Sequence, residues 1–151
     1  MSDSYWRFVE PIWDTVSIYD GAEVFLRQFS KAEEKQRVLF ATHWAQSEIR
    51  NGGLAQFFDN STGVLAPEAV DGFRVIGMKK CASILSDAMK TFGDVYPRER
   101  SVREEAFKYF YEKYGEDAIP MKEHEDAMAT EIDEENGGFE EAADSLSLIH
   151  I

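Results

Sequence analysis

Four polar side chains crowd one short stretch of this sequence. Glu48, Asn51, Gln56 and Asn60 all fall within SEIRNGGLAQFFDNSTG. A carboxylate surrounded by amides can orient a small ligand by hydrogen bonds, so these four form a candidate pocket for a small-molecule binder or an enzyme. Nothing beside them supplies an activated nucleophile, and no catalytic residue is assigned. A second constellation is EHEDAMATEIDEENGGFEEAAD, Glu123 to Asp144, which has no lysine or arginine between its acids. Helix neighbours three or four apart hold their Cβ atoms about 5–6 Å from each other. Duplex DNA carries roughly one negative charge per 1.7 Å of axis. A row of carboxylates can therefore stand in for phosphates before a basic protein surface. The candidate partner-binding residues are Glu123, Glu125, Asp126, Glu131, Asp133, Glu134 and Glu135. The partner they imply is a DNA-binding protein, and the ordinary alternative is a solvated helix face or acidic tail.

Other chemistry finds less support. Asp133, Glu135, Gly138, Glu141 and Asp144 take positions 1, 3, 6, 9 and 12 of a calcium loop. Gly137 occupies the fifth position, where a ligand belongs, and the twelfth is Asp instead of Glu, so no metal is assigned. His43 and His124 stand too far apart in the sequence for a zinc set, and His43 beside Trp44 is read as a packed histidine. Cys81 has no resolving partner and is assigned to the core. No phosphate-cradling glycine loop or nucleophile-elbow motif occurs, and no cofactor is implied. The expectation is a binding protein without enzymatic activity.

Charge sharpens that expectation. The 151 residues carry 16 basic and 29 acidic side chains, a net charge of −13. Residues 1–60 hold 6 and 9, residues 61–100 hold 6 and 5, and residues 101–151 hold 4 and 15. So lopsided a field repels phosphates, which argues against direct nucleic-acid or membrane binding. Hydrophobic residues at 44% are enough for a core, and the single cysteine permits no internal disulfide. With no leader-like start and no apolar run of membrane-spanning length, a cytoplasmic protein is expected.

The elements that must position these residues read as helices. Trp6, Val9, Trp13 and Val16 share one helical face that Pro11 kinks or splits. Asp20 is the expected N-cap of a helix carrying Val24, Phe25 and Phe29 inward. A long helix from Lys31 to Arg50 should end at Asn51-Gly52-Gly53, and Leu54 to Asp59 should resume as a short helix. Pro67 suits the start of a helix over 68–76. Met78 to Phe92 and Ser101 to Tyr114 complete the pattern, the latter with Val102, Ala106, Phe110 and Tyr114 along one face. The fold class expected is all-α, a single-domain bundle of about six to eight helices over residues 1–145 with its core in the first 115 or so. A second Asn-Gly-Gly at 136–138 is read as another glycine corner.

The block WAQSEIRNGGLAQFFDNSTGVLAPEAVDGFRVIG resembles the signature of a bacterial domain-of-unknown-function family that includes the neisserial DNA-mimic protein. Trp44, Ser47, Glu48, Asn51, Gly52, Gly53, Gln56, Phe57, Phe58, Asn60 and Gly63 carry the likeness. It continues through Ala66, Glu68, Ala69, Gly72, Phe73, Ile76 and Gly77, with YPRER at Tyr96 to Arg100. The resemblance spans roughly residues 5–115. It implies an all-helical fold and, for that member, an acidic dimer that occupies a DNA-binding transcription factor in place of DNA. A homodimer is thereby allowed for this chain. The signature itself looks like corner chemistry that determines the fold, and it transfers no catalytic assignment. The last six residues, LSLIHI, are what CTGTCTCTTATACACATC encodes, a string resembling a transposon-end adapter. Leu146 to Ile151 are accordingly read as a suspected non-native tail.

Overall fold

The computed structural model describes Tyr5 to Ile149, and among these residues every regular element is helical. Eight α-helices follow one another: α1 Trp6–Val9, α2 Ala22–Phe29, α3 Glu34–Asp59, α4 Ala66–Val75, α5 Lys79–Met89, α6 Arg100–Tyr114, α7 Lys122–Glu134 and α8 Phe139–Ser147. Short 3-10 turns at Glu10–Ile12, Ser61–Leu65, Lys90–Phe92, Glu116–Ala118 and Glu135–Gly137 join or extend them. Pro11 does split the first segment, because a proline cannot donate into a continuing helix.

Helix α3 is the spine, with α1, α4, α6, α7 and α8 packed along it. Its start lies at Glu34 and not at Lys31, because Glu33 and Gln36 close a capping box, with Gln36 Oε1 accepting the Glu33 amide at 3.0 Å. Its interior breaks at Gly53, where φ is 82° and ψ −178°, a conformation essentially confined to glycine. The break lets Leu54, Phe57 and Phe58 turn fully into the core. Gly138, at φ 93° and ψ 166°, repeats this backbone shape immediately before α8. In both Asn-Gly-Gly copies the last glycine thus opens the following helix, and the next residue, Leu54 or Phe139, is fully buried.

Three expectations need correction. Asp20 does not cap α2: Gly21 is the N-cap residue, and Asp20 instead accepts the Ser17 hydroxyl at 2.7 Å. The expected face of α6 holds for Phe110, which is buried, and Ala106, which packs against the core, and fails for the other two. Val102 and Tyr114 are exposed, and Arg103, Phe107 and Phe110 point inward, because Arg103 finds hydrogen-bond partners inside the protein. The core also reaches past residue 115: Met121, Met128, Ile132, Phe139 and Ala143 are buried, so the acidic C-terminal part closes the bundle. Leu146 of the suspected tail is buried and lies within α8, whereas His150 and Ile151 lie outside the described residues.

Candidate functional site

Three of the four corner residues meet. Glu48 Oε1 accepts the Gln56 side-chain amide at 3.0 Å and the Asn60 amide at 2.9 Å. The carboxylate ends the first part of α3, and the two amides lie on and just after the part that resumes beyond Gly53. The trio therefore staples the two arms of the break. Asn51 makes no hydrogen bond to them; it is exposed and shares with Glu48, His43, Ser47 and Arg50 the lining of a shallow groove.

The segment Tyr96–Arg103 grips the same corner from the other side. Tyr96 donates its hydroxyl to Gly63 O at 2.7 Å, and Arg98 donates to Val64 O at 3.0 Å while forming a two-pronged pair with Glu68 at 2.8 and 2.9 Å. Arg100 reaches Asp59 O at 2.9 Å and Ser61 Oγ at 3.2 Å. Arg103 is fully buried, and it donates to Phe58 O at 2.7 Å, Asn60 O at 2.9 Å, Pro97 O at 3.1 Å and Arg98 O. A planar guanidinium with five fixed donors suits a ring of backbone carbonyls, including those that a helix end leaves without partners. Burial pushes the Arg103 pKa down from its ordinary value. Gly63 is needed for this fit, since a Cβ there would stand 2.8 Å from Arg103 Nε. The glycine corner and the YPRER stretch are thus two halves of one structural clasp. Sequence reasoning missed Arg103 because a lone arginine on a helix reads as a solvent-facing residue.

The acidic segment is unevenly displayed. Glu135 places its two oxygens on the amides of Lys80 and Cys81, at 2.7 and 2.8 Å, and so caps the N-terminus of α5. Glu125 Oε2 accepts the Ala55 amide at 2.8 Å, at the start of the helical arm after Gly53. Asp144 accepts the Tyr5 amide at 3.1 Å, ahead of α1. Glu99, outside this segment, does the same for Ala22 at the head of α2. The starts of α1, α2 and α5 have no side-chain cap from their own N-cap residues, and a carboxylate suits the exposed N–H groups and positive end of a helix dipole.

Arg50 bridges Asp133 at 2.9 Å and Glu140 at 2.5 Å, tying α3 to α7 and α8. That hydrogen bond to Arg50 holds the Glu140 carboxyl below its usual range. Glu123, Asp126 and Glu134 face solvent along α7, with Lys122 Nζ 3.8 Å from Asp126, and Glu131 is half-buried. The residues of the calcium-loop pattern are dispersed to these separate duties. Among the described residues no group of three histidine, cysteine or acidic side chains is placed to hold a metal.

His43 sits in an aromatic nest. Its Nδ1 shares a 2.8 Å hydrogen bond with the Tyr5 hydroxyl, and the rings of Trp6, Trp13 and Trp44 surround it. Burial lowers its pKa to about 4, so it is neutral near pH 7. Cys81 is fully buried, and burial pushes its thiol pKa up. No helix among the described residues is long and apolar enough to cross a membrane.

No curated protein and no solved structure matches the chain. The corner at residues 51–63, the arginines that clasp it and the acidic α7–α8 unit that caps it all lie within residues 30–148, which match the model of the DMP19-like proteins, and the chain belongs to that family.

Proposed function

We propose that this protein is a cytoplasmic, non-enzymatic acidic binding protein of the DNA-mimic type, which regulates transcription by engaging the basic surface of a DNA-binding regulator through its carboxylates. Family membership supports this reading, and one structural observation carries it. The outward face of α7 presents Glu123, Asp126 and Glu134 to solvent with only Lys122 against them, after the neighbouring acids have been taken up by helix ends and Arg50. Glu123 and Glu134 are 11 residues apart, a rise of about 16 Å, over which a duplex offers roughly ten charges. The face of α7 is thus a sparser array than DNA, and its hold on a basic surface should loosen readily with salt.

The test is capture from bacterial lysate at low ionic strength, with salt-gradient elution and mass spectrometry. A basic helix-turn-helix protein should elute at moderate salt and be displaced by its own DNA site. The triple change Glu123→Gln, Asp126→Asn and Glu134→Gln should weaken that capture while leaving the melting temperature within a few degrees, as exposed substitutions do. Capture that ignores both salt and the triple change would refute the reading. Light scattering on the same preparations tests the homodimer.

A further inference from the structure

Helix α3 carries a polar stripe beside its buried face. His43, Gln46, Ser47 and Arg50 follow one another at helical spacing, and Asn51 comes next to them before the break. Tyr5, ahead of α1, and Glu140, on α8, complete the lining of a groove of about 570 Å³, within the range of small-molecule sites. Gln46 is the unusual member, since it is only 5% exposed. Its Nε2 donates to His43 O at 3.1 Å, and its Oε1 accepts no hydrogen bond from the described residues. Thr62 alone among them has a partnerless side-chain oxygen sealed from solvent. Gln46 Oε1 is therefore both partnerless and open, on a buried residue that lines the groove.

His43 supplies the opposite function. Its Nδ1 is engaged by the Tyr5 hydroxyl at 2.8 Å. Burial pushes the Tyr5 phenol up to about 12, so it keeps its proton beside a neutral imidazole. A phenol O–H is the stronger donor of the two and an unprotonated ring nitrogen the stronger acceptor. Tyr5 therefore donates, and His43 carries its hydrogen on Nε2. That nitrogen has no partner among the described residues and, like Gln46 Oε1, is not sealed. The tryptophan rings fix the imidazole, and the bond to His43 O fixes the Gln46 amide. The charges around them are already matched: Arg50 lies on Asp133 and Glu140, and Glu48 holds two amides. What α3 leaves unspent is one N–H donor and one C=O acceptor, three residues apart.

We propose that this groove binds a small uncharged carboxamide, its carbonyl oxygen accepting from His43 Nε2 and its N–H donating to Gln46 Oε1. Residues three apart on a helix hold their Cβ atoms about 5–6 Å from each other, so one amide group can meet both. The Ser47 hydroxyl and the Asn51 amide, exposed on the same stripe, remain for a further polar group of the ligand. A carboxylate of the same shape lacks the N–H that Gln46 needs, and Glu48 and Glu140 repel it. An ammonium lacks the acceptor that His43 needs. None of these residues belongs to the outward face of α7, so this site and the mimic reading stand or fall separately.

The experiment is an NMR titration of the isotopically labelled protein with matched amides and acids: nicotinamide against nicotinate, benzamide against benzoate, and N-acetylglycinamide against N-acetylglycine. At least one amide should give saturable shifts in the side-chain signals of both His43 and Gln46. Its acid should bind at least about tenfold more weakly, the worth of one hydrogen bond to a group that is otherwise left unpaired. In the free protein the imidazole nitrogen shifts should place the His43 hydrogen on Nε2. Gln46→Met keeps the side-chain length without the acceptor, and it should weaken amide binding by about tenfold. The matched pairs need no variant, so the wild-type comparison decides even where Gln46→Met fails to fold. No shift from any amide, equal binding of an amide and its acid, or a His43 hydrogen on Nδ1 overturns the proposal.

Discussion

Arg103→Lys tests whether the corner is held by geometry or by charge. The substitution keeps the positive charge and most of the stem but replaces a planar fork with a point donor. The native guanidinium serves the carbonyls of residues 58, 60, 97 and 98, which come from two separate chain segments. An ammonium has three donors on one atom and cannot span both segments, so one or two acceptors are stranded. At about 1–3 kcal/mol for each stranded acceptor, and with two stranded at mid-range cost, the loss centres on roughly 2–5 kcal/mol. That is a large share of the 5–15 kcal/mol typical of a domain's total stability, and at about 2–4 °C per kcal/mol it lowers the melting temperature by roughly 5–20 °C. Urea unfolding followed by circular dichroism gives the number. Gly63→Ala supplies the second side of a double-mutant cycle. Its Cβ would sit 2.8 Å from Arg103 Nε and 3.0 Å from Cζ, while Gly63 has no left-handed φ to defend, so its cost runs through the guanidinium. The two changes should therefore be non-additive by about 1 kcal/mol or more. A lysine variant within about 1 kcal/mol of wild type, or an additive cycle, refutes the clasp as a stabilising device.

Three further outcomes concern other parts of the bundle. His43 has a pKa lowered from 6.5 to about 4, so the folded state binds its proton more weakly than the unfolded chain does; its contribution is complete above pH 6.5 and is lost as pH falls toward 4. Acid unfolding midpoints should shift accordingly, and an imidazole titration by NMR with a midpoint near 6.5 would contradict the nest. Glu135→Gln replaces one of two acceptor oxygens at the start of α5 with a donor, which should cost about 1–2 kcal/mol in urea unfolding. Glu123→Gln, on the exposed face of α7, should by contrast stay within about 0.5 kcal/mol.

The sequence made the helices legible wherever the apolar spacing and a break coincided. Pro11, the first Asn-Gly-Gly and Pro67 each mark a boundary that the backbone obeys. What it concealed were contacts between residues far apart in the chain. Asp20 looked like a cap because caps are sought locally, yet α2 takes its carboxylate from Glu99, 77 residues on. Glu125 and Glu135 looked like members of a free acidic row, because nothing local shows that two distant helix ends lack caps. The polar corner was visible as composition, and Glu48, Gln56 and Asn60 do meet, but their mutual hydrogen bonds depend on a backbone break whose angle no residue count supplies. Thr62 carried no signal at all: that its buried hydroxyl has no hydrogen-bond partner among the described residues is visible only in its surroundings.

The distant caps also order events in time. Tyr5 is joined to Asp144 by a hydrogen bond that spans 139 residues, and the helical arm after Gly53 and α5 wait for carboxylates at 125 and 135. A ribosome adds about 5–20 residues each second, so the first helix stands without its partner for roughly 7–30 s. During that interval the nascent chain holds Phe57, Phe58 and Phe73 with no α7 and α8 to cover the bundle. The bundle therefore closes only once α7 and α8 have been made, and that acidic unit is the part that locks the rest.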